Sequence, residues 1–210
     1  MKTIKSQFLE NMEGYSDEKL YSSILALEPE KIDTVNWPQY PYAPKVSFRV
    51  AHSDKAVAVM YEVSEDNVRA VSTESNGPVW EDSCVEFFIK HPVNPGYFNI
   101  EINCIGTALA AYRLSREDAS HFSEEKMAKI RRVHSLPHEP IDSHEKGKKW
   151  WMIEVVPFEL LDLPSKPERL RANFYKCGDK CEKMHFLSWN PIEIPNPDFH
   201  RPDFFGEIIF

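Results

Sequence analysis

The chain has 210 residues, 33 acidic and 25 basic, for a formal net charge of −8. That length allows one domain with a sizeable core, and 42% hydrophobic with 28% charged residues is an ordinary globular composition. An acidic surface repels phosphate backbones, so nucleic acid is not an expected partner. No run approaches the 18 apolar residues of a helical membrane span, so no membrane partner is expected either.

The opening MKTIKSQFLENMEGYSDEK lacks the apolar stretch of a secretory signal. The expected compartment is the cytoplasm, or an extracytoplasmic one if the chain is a trimmed mature form. In a reducing compartment Cys84, Cys104, Cys177 and Cys181 stay as thiols.

In chain order, SDEKLYSSILAL reads as a short helix with Ser16 or Asp17 as N-cap. A proline-rich loop, NWPQYPYAPK, follows. From Lys45 the period becomes two. Val46, Phe48 and Val50 share a face, as do Val57, Val59, Tyr61 and Val63. SCVEFFI sets Val85, Phe87 and Ile89 against Cys84, Glu86 and Phe88. YFNIEINC sets Phe98, Ile100, Ile102 and Cys104 against Tyr97, Asn99, Glu101 and Asn103. Such alternation predicts strands covered on one side only.

TALAAYRL, KIRRVHSL, KWWMIEVVPF, RLRANFYKC and GEIIF are further strands. PFELLDLP is one helical turn stopped by Pro164. Eight to ten short strands, little helix and no βαβ rhythm predict an all-β fold, an antiparallel β-sandwich with short peripheral helices. One domain spans 1–210, with 1–40 as an N-terminal helix and loop extension. The predicted core includes Val85, Phe87, Ile89, Phe98, Ile100, Ile102, Ile153 and Val155.

The polar face of the central strands is the candidate site. If SCVEFFI and YFNIEINC are hairpin neighbours joined by HPVNPG, Glu86 comes near Glu101 or Asn103 across the ladder. Trp80 and Trp189 stand in Pro-rich segments at strand edges. Such a face is either the solvated side of a sandwich or a polar platform with aromatic walls. The second arrangement suits a sugar, whose C–H faces stack on rings and whose hydroxyls meet carboxylates and amides.

VWEDSCVEFFI, YFNIEINCIGTALAAY, WWMIEVVPF, ANFYKC, FLSWNP and FHRPDFFGEIIF together resemble the family 9 carbohydrate-binding modules, and more closely their free-standing bacterial relatives. The resemblance runs from about residue 40 to the C-terminus. It implies a sandwich of the DOMON-like superfamily that binds a mono- or oligosaccharide without catalysis, often at a terminal or reducing-end unit. Trp80 and Trp189 match the two rings that clamp the sugar. Glu86 matches an acid that bonds its hydroxyls, and Asn103 a nearby amide. Glu101 stands where a basic residue is expected, and the acid expected upstream of the first Trp falls only loosely at Glu62 or Asp66. No cofactor is predicted; the resemblance leaves room for structural calcium, although no D-x-D-x-D-G loop is present.

Two other functions remain open at this point. Glu86 and Glu101 are the only acid pair that strand geometry brings to glycosidase spacing, roughly 5 Å apart. A sandwich without a ligand site would serve as an interaction module. Cys177, Cys181 and His185 have zinc-like spacing but lack a fourth ligand. The sequence gives no oligomeric state.

Overall fold

In the computed structural model, which describes residues 1–210, nine principal strands carry the fold. They are β1 (Lys45–His52), β2 (Ala56–Glu65), β3 (Cys84–Lys90), β4 (Tyr97–Asn103), β5 (Ala108–Arg113), β6 (Arg131–His134), β7 (Lys148–Pro157), β8 (Arg169–Cys177) and β9 (Gly206–Ile209). The larger sheet runs Thr3–Lys5, β9, β8, β3, β4, β5, Ala119–His121, with Phe186–Ser188 also paired to β8. The smaller runs β6, β7, β2, β1, Gln7–Phe8, with Glu30–Lys31 beside β1. Only Thr3–Lys5 on β9 and Gln7–Phe8 on β1 pair in parallel. This is the expected all-β sandwich. The first forty residues add strands to both sheets and so form part of the fold itself.

The two sheets enclose the main core. Val46, Phe48, Val50, Val57, Val59, Tyr61 and Val63 face inward from the smaller sheet, against Val85, Phe87, Ile89, Phe98, Ile100 and Ile102 from the larger. Phe87 stacks on Phe174 at 5.0 Å and 3°. Burial of such side chains stabilises by roughly 1.5–3 kcal/mol each.

Ile153 and Val155 were expected in that core and lie outside it. β7 turns Trp150, Met152 and Val156 inward, and Ile153 and Val155 pack under helix α1 (Asp17–Leu25) on the outer face. Two apolar faces on one strand give no alternation from which to choose the inner one. α1 starts at Ser16, whose Oγ accepts from the Lys19 N–H at 3.3 Å, and buries Leu20 and Ile24. A second short helix, α2 (Glu124–Lys129), lies at the sandwich edge and is capped in the same way by Ser123.

The prediction of one-sided strands also fails in the larger sheet. Every residue of β4 is buried. Segments around Trp37 and between Ile192 and Phe205 fold across the outer face, making a second apolar cluster with Phe88, Tyr97, Leu109 and Tyr175. These loops roof part of the polar face and leave a cavity over the rest.

Candidate functional site

The cavity lies on the outer face of the larger sheet, with a volume of about 270 Å³. That is just below the roughly 300–1,000 Å³ of drug-sized sites. Its floor is set by register. Glu86 on β3 is the direct partner of Glu101 on β4, and Tyr175 on β8 is the direct partner of Glu86. Cys177 lies two residues beyond Tyr175 on the same face, and Arg113 reaches in from the end of β5. Trp80, Phe186, Pro197 and Phe199 supply apolar lining, and Arg116, Asp179, Asp198 and His200 complete it.

Trp80 is delivered by a 3-10 turn, Val79–Glu81. Asp82, directly after that turn, is fully buried and explains why acids crowd the start of β3. Its carboxylate accepts from the Val71 and Ser72 N–H groups at 3.0–3.1 Å, from Asn103 Nδ2 at 3.0 Å and from Arg69 Nη1 at 2.5 Å. Three of these donors lie on or directly after the strand Val68–Ala70 and the fourth on β4, so the carboxylate pins the turn to both. Trp80 therefore stands with 38% of its surface exposed at the cavity.

The structure thus brings together Trp80, Glu86 and Glu101 and excludes two expected ligand residues. Trp189 is 1% exposed inside the sandwich, edge-on to Phe48 and Phe174 at 6.0 and 5.6 Å. No sugar reaches its face. Gly206 makes room for it, because a Cβ there would lie 2.4 Å from the indole. Asn103 is buried beneath the floor, where Nδ2 donates to Ser72 O and Asp82 and Oδ1 accepts from Thr107 N. Its amide is fully committed to the chain. The loosely placed upstream acids lie elsewhere: Glu62 pairs with Arg49 and Asp66 with Lys183.

Sequence reasoning missed Asn99, Arg113, Phe186, Phe199 and His200. Arg113 Nε donates to Asn99 Oδ1 at 2.8 Å, and Asn99 Nδ2 donates to Glu101 Oε1 at 2.8 Å. Pairing β4 with β5 in the sequence would have placed Leu109, Ala111 and Arg113 on the Glu101 face. Phe186, Phe199 and His200 come from loops and carry no periodic signal.

The electrostatics follow from burial. Glu86 is 3% exposed, and burial pushes its carboxyl well above the usual range, with the Glu101 charge adding to the shift. Its only recorded donor is the Cys177 thiol, at 3.0 Å. Burial raises Glu101 to about 7, against the pull of the Asn99 amide and the Arg113 charge. At neutral pH Glu86 therefore keeps its proton, while Glu101 is close to half-ionised. Burial raises Asp179 to about 6 and lowers His200 to about 3, the latter helped by Arg113 and Arg116. His200 Nδ1 lies 2.9 Å from the Tyr97 hydroxyl.

The zinc-like spacing at Cys177, Cys181 and His185 does not gather into a site. His185 uses both ring nitrogens, one toward Lys176 Nζ and one toward Lys183 O, both close. The one trio whose donor atoms converge is Cys84, Glu86 and Cys177, within 4.8 Å of one another. Two thiols are too soft a set for calcium. Burial holds Cys84 at about 12 and raises Cys177 as well, so both are protonated.

The comparisons agree with this architecture. A protein of Bacteroides uniformis, a proposed carbohydrate-binding protein, has a crystal structure that superposes with a TM-score of 0.94 and 36% identity, over 100% of this chain and 99% of that one. A family 9 carbohydrate-binding module from Caldicellulosiruptor kristjanssonii has the same fold at 12% identity. Its complex with glucose gives a TM-score of 0.62 over 99% and 95% of the two chains, and its complex with cellotriose 0.63 over 99% and 93%. Among curated proteins none matches. The profile of carbohydrate-binding family 9 matches residues 18–210, and the chain belongs to that family.

Proposed function

We propose that the protein binds a sugar in the Trp80 cavity without catalysing a reaction on it, and that the bound unit is a chain end. The observation that carries this reading is the Glu86–Glu101 pair on the floor of an open cavity with aromatic lining. Trp80 offers an apolar face to the C–H side of a pyranose ring. Glu86 has lone pairs to spare for hydroxyls, and its protonated carboxyl both accepts and donates. The loop wall at Pro197–His200 closes one side, which favours a terminal or reducing-end unit over the middle of a chain. The neighbouring family 9 structures with glucose and cellotriose support a mono- or oligosaccharide as ligand.

The same acid pair motivates the rival reading, glycoside hydrolysis. A glycosidase needs carboxyls flanking the scissile bond. Glu86 and Glu101 lie side by side on one sheet surface and would approach a sugar from the same side. Binding without hydrolysis is therefore favoured. The test is calorimetric titration with glucose, cellobiose and cellotriose beside a hydrolysis assay on the same sugars. Binding lost in Trp80→Ala, with no product released, is the expected result. Turnover abolished by Glu86→Gln would establish the rival.

A further inference from the structure

The other sheet carries a groove that the first site does not use. It lies on the outer face of β1, β2 and β7, beside α1, with a volume of about 890 Å³. Register places Lys45, Ser64 and Lys149 in one row and Ser47, Glu62 and Trp151 in the next. Lys31 joins the second row as the partner of Ser47. Two lysines thus flank a serine, two strand spacings or roughly 9.5 Å apart. Tyr21 of α1 meets Trp151 with ring centroids 4.6 Å apart, and both rings are half-buried.

The polar groups of this groove are largely unspent. The lysine ion pairs of the protein use Lys129, Lys148, Lys176, Lys180 and Lys183. Lys31, Lys45 and Lys149 are exposed and take part in none of them. Glu62 is already neutralised by Arg49 at 2.5 Å, which leaves Asp33 alone against three ammoniums. Trp37 and Trp150 spend their indole N–H groups inside the protein, and Trp151 does not. A local cationic surplus on a chain of net charge −8 selects for anionic ligands. A partly open aromatic pair beside it selects for an apolar face. A carboxylated pyranose chain presents both features.

We propose that this groove is a second glycan-binding surface, for a polysaccharide carrying carboxylates such as a uronate polymer. Lys45 and Lys149 bind the carboxylates, and the Trp151–Tyr21 edge carries a sugar face. The inference is independent of the Trp80 cavity.

The test is native electrophoresis of the full chain through gels containing polygalacturonate, hydroxyethylcellulose or dextran sulfate. Polygalacturonate should retard the protein, and added salt should weaken the effect. In the Lys45→Gln/Lys149→Gln variant affinity should fall about tenfold or more, as loss of charged hydrogen bonds implies. These lysines are exposed, so the variant folds and decides the matter by itself. Trp151→Leu, if a thermal melt shows it folded, should also weaken retardation. Trp80→Ala should leave polygalacturonate binding intact, which separates this surface from the cavity. No retardation by polygalacturonate, or retardation unchanged in the lysine variant, overturns the proposal. So does equal retardation by dextran sulfate, which would make the groove a bare cationic patch.

Discussion

Glu86 and Glu101 are direct cross-strand partners, both buried, yet their surroundings differ. Glu101 is held by Asn99, which Arg113 orients, whereas Glu86 receives only a thiol. Glu86 is therefore the group with capacity left for a ligand. Glu86→Gln exchanges a protonated carboxyl for an amide of nearly the same shape, so thermal stability should hold. Sugar affinity should drop by roughly the 0.5–1.5 kcal/mol of a neutral hydrogen bond, because the amide nitrogen cannot accept from a hydroxyl. Calorimetry beside a thermal melt checks both, and a large fall in melting temperature would show that Glu86 serves the fold.

The two tryptophans should separate cleanly. Trp80→Ala removes an exposed wall and should weaken sugar binding by about 2 kcal/mol, with little change in stability. Trp189→Ala opens the core and should cost about 3–5 kcal/mol of stability. Denaturant unfolding of each variant, with titration of the folded ones, is the measurement. Reversed ranks would return Trp189 to the site.

Ile100→Ala should cost roughly 2–5 kcal/mol as a core truncation. Asn99→Ala should also be costly, at roughly 1–3 kcal/mol, because it leaves Arg113 and Glu101 without their shared partner. A solvated asparagine would cost almost nothing. Equal urea midpoints for Asn99→Ala and wild type would contradict the relay.

Stability should fall as pH rises from about 6.5 to 8. Glu154 is buried, accepts from the Tyr61 hydroxyl at 3.0 Å, and burial raises its carboxyl to about 8. A carboxyl raised in the folded state binds more protons there than in the unfolded chain, so stability is lost as pH climbs toward the raised value. Glu101, raised to about 7, acts in the same direction. His200 and His185 are lowered by burial and act oppositely, but only below the ordinary histidine value of 6.5. Above that pH the carboxyls dominate. Thermal melts across this range should show the descent, and Glu154→Gln should flatten it; an unchanged slope in that variant would place its cause elsewhere.

The strand pattern of the sandwich was legible because period two survives wherever one face is purely apolar, as along Val57, Val59, Tyr61 and Val63. It failed at Ile153, where α1 covers the second face, and at β4, where loops do. The acid pair was legible because a short hairpin fixes its register. The aromatic walls were not. Trp189 stands beside Pro and Asn as a loop residue would, and only the three-dimensional path of the chain shows that the glycine at 206 clears a place for its ring. Phe186 and Phe199, which line the cavity instead, lie in segments whose position depends on contacts remote in sequence.

The parallel pairing of Thr3–Lys5 with β9 has a mechanical consequence. Thr3 aligns with Glu207 and Lys5 with Ile209, so the two strands run side by side in the same direction near opposite ends of the sequence. Tension applied between Thr3 and Ile209 pulls along the strands and loads their hydrogen bonds together in shear, where a hairpin would peel one bond at a time. A protein pulled from both ends would thus carry its load through the closure between its first and last strands.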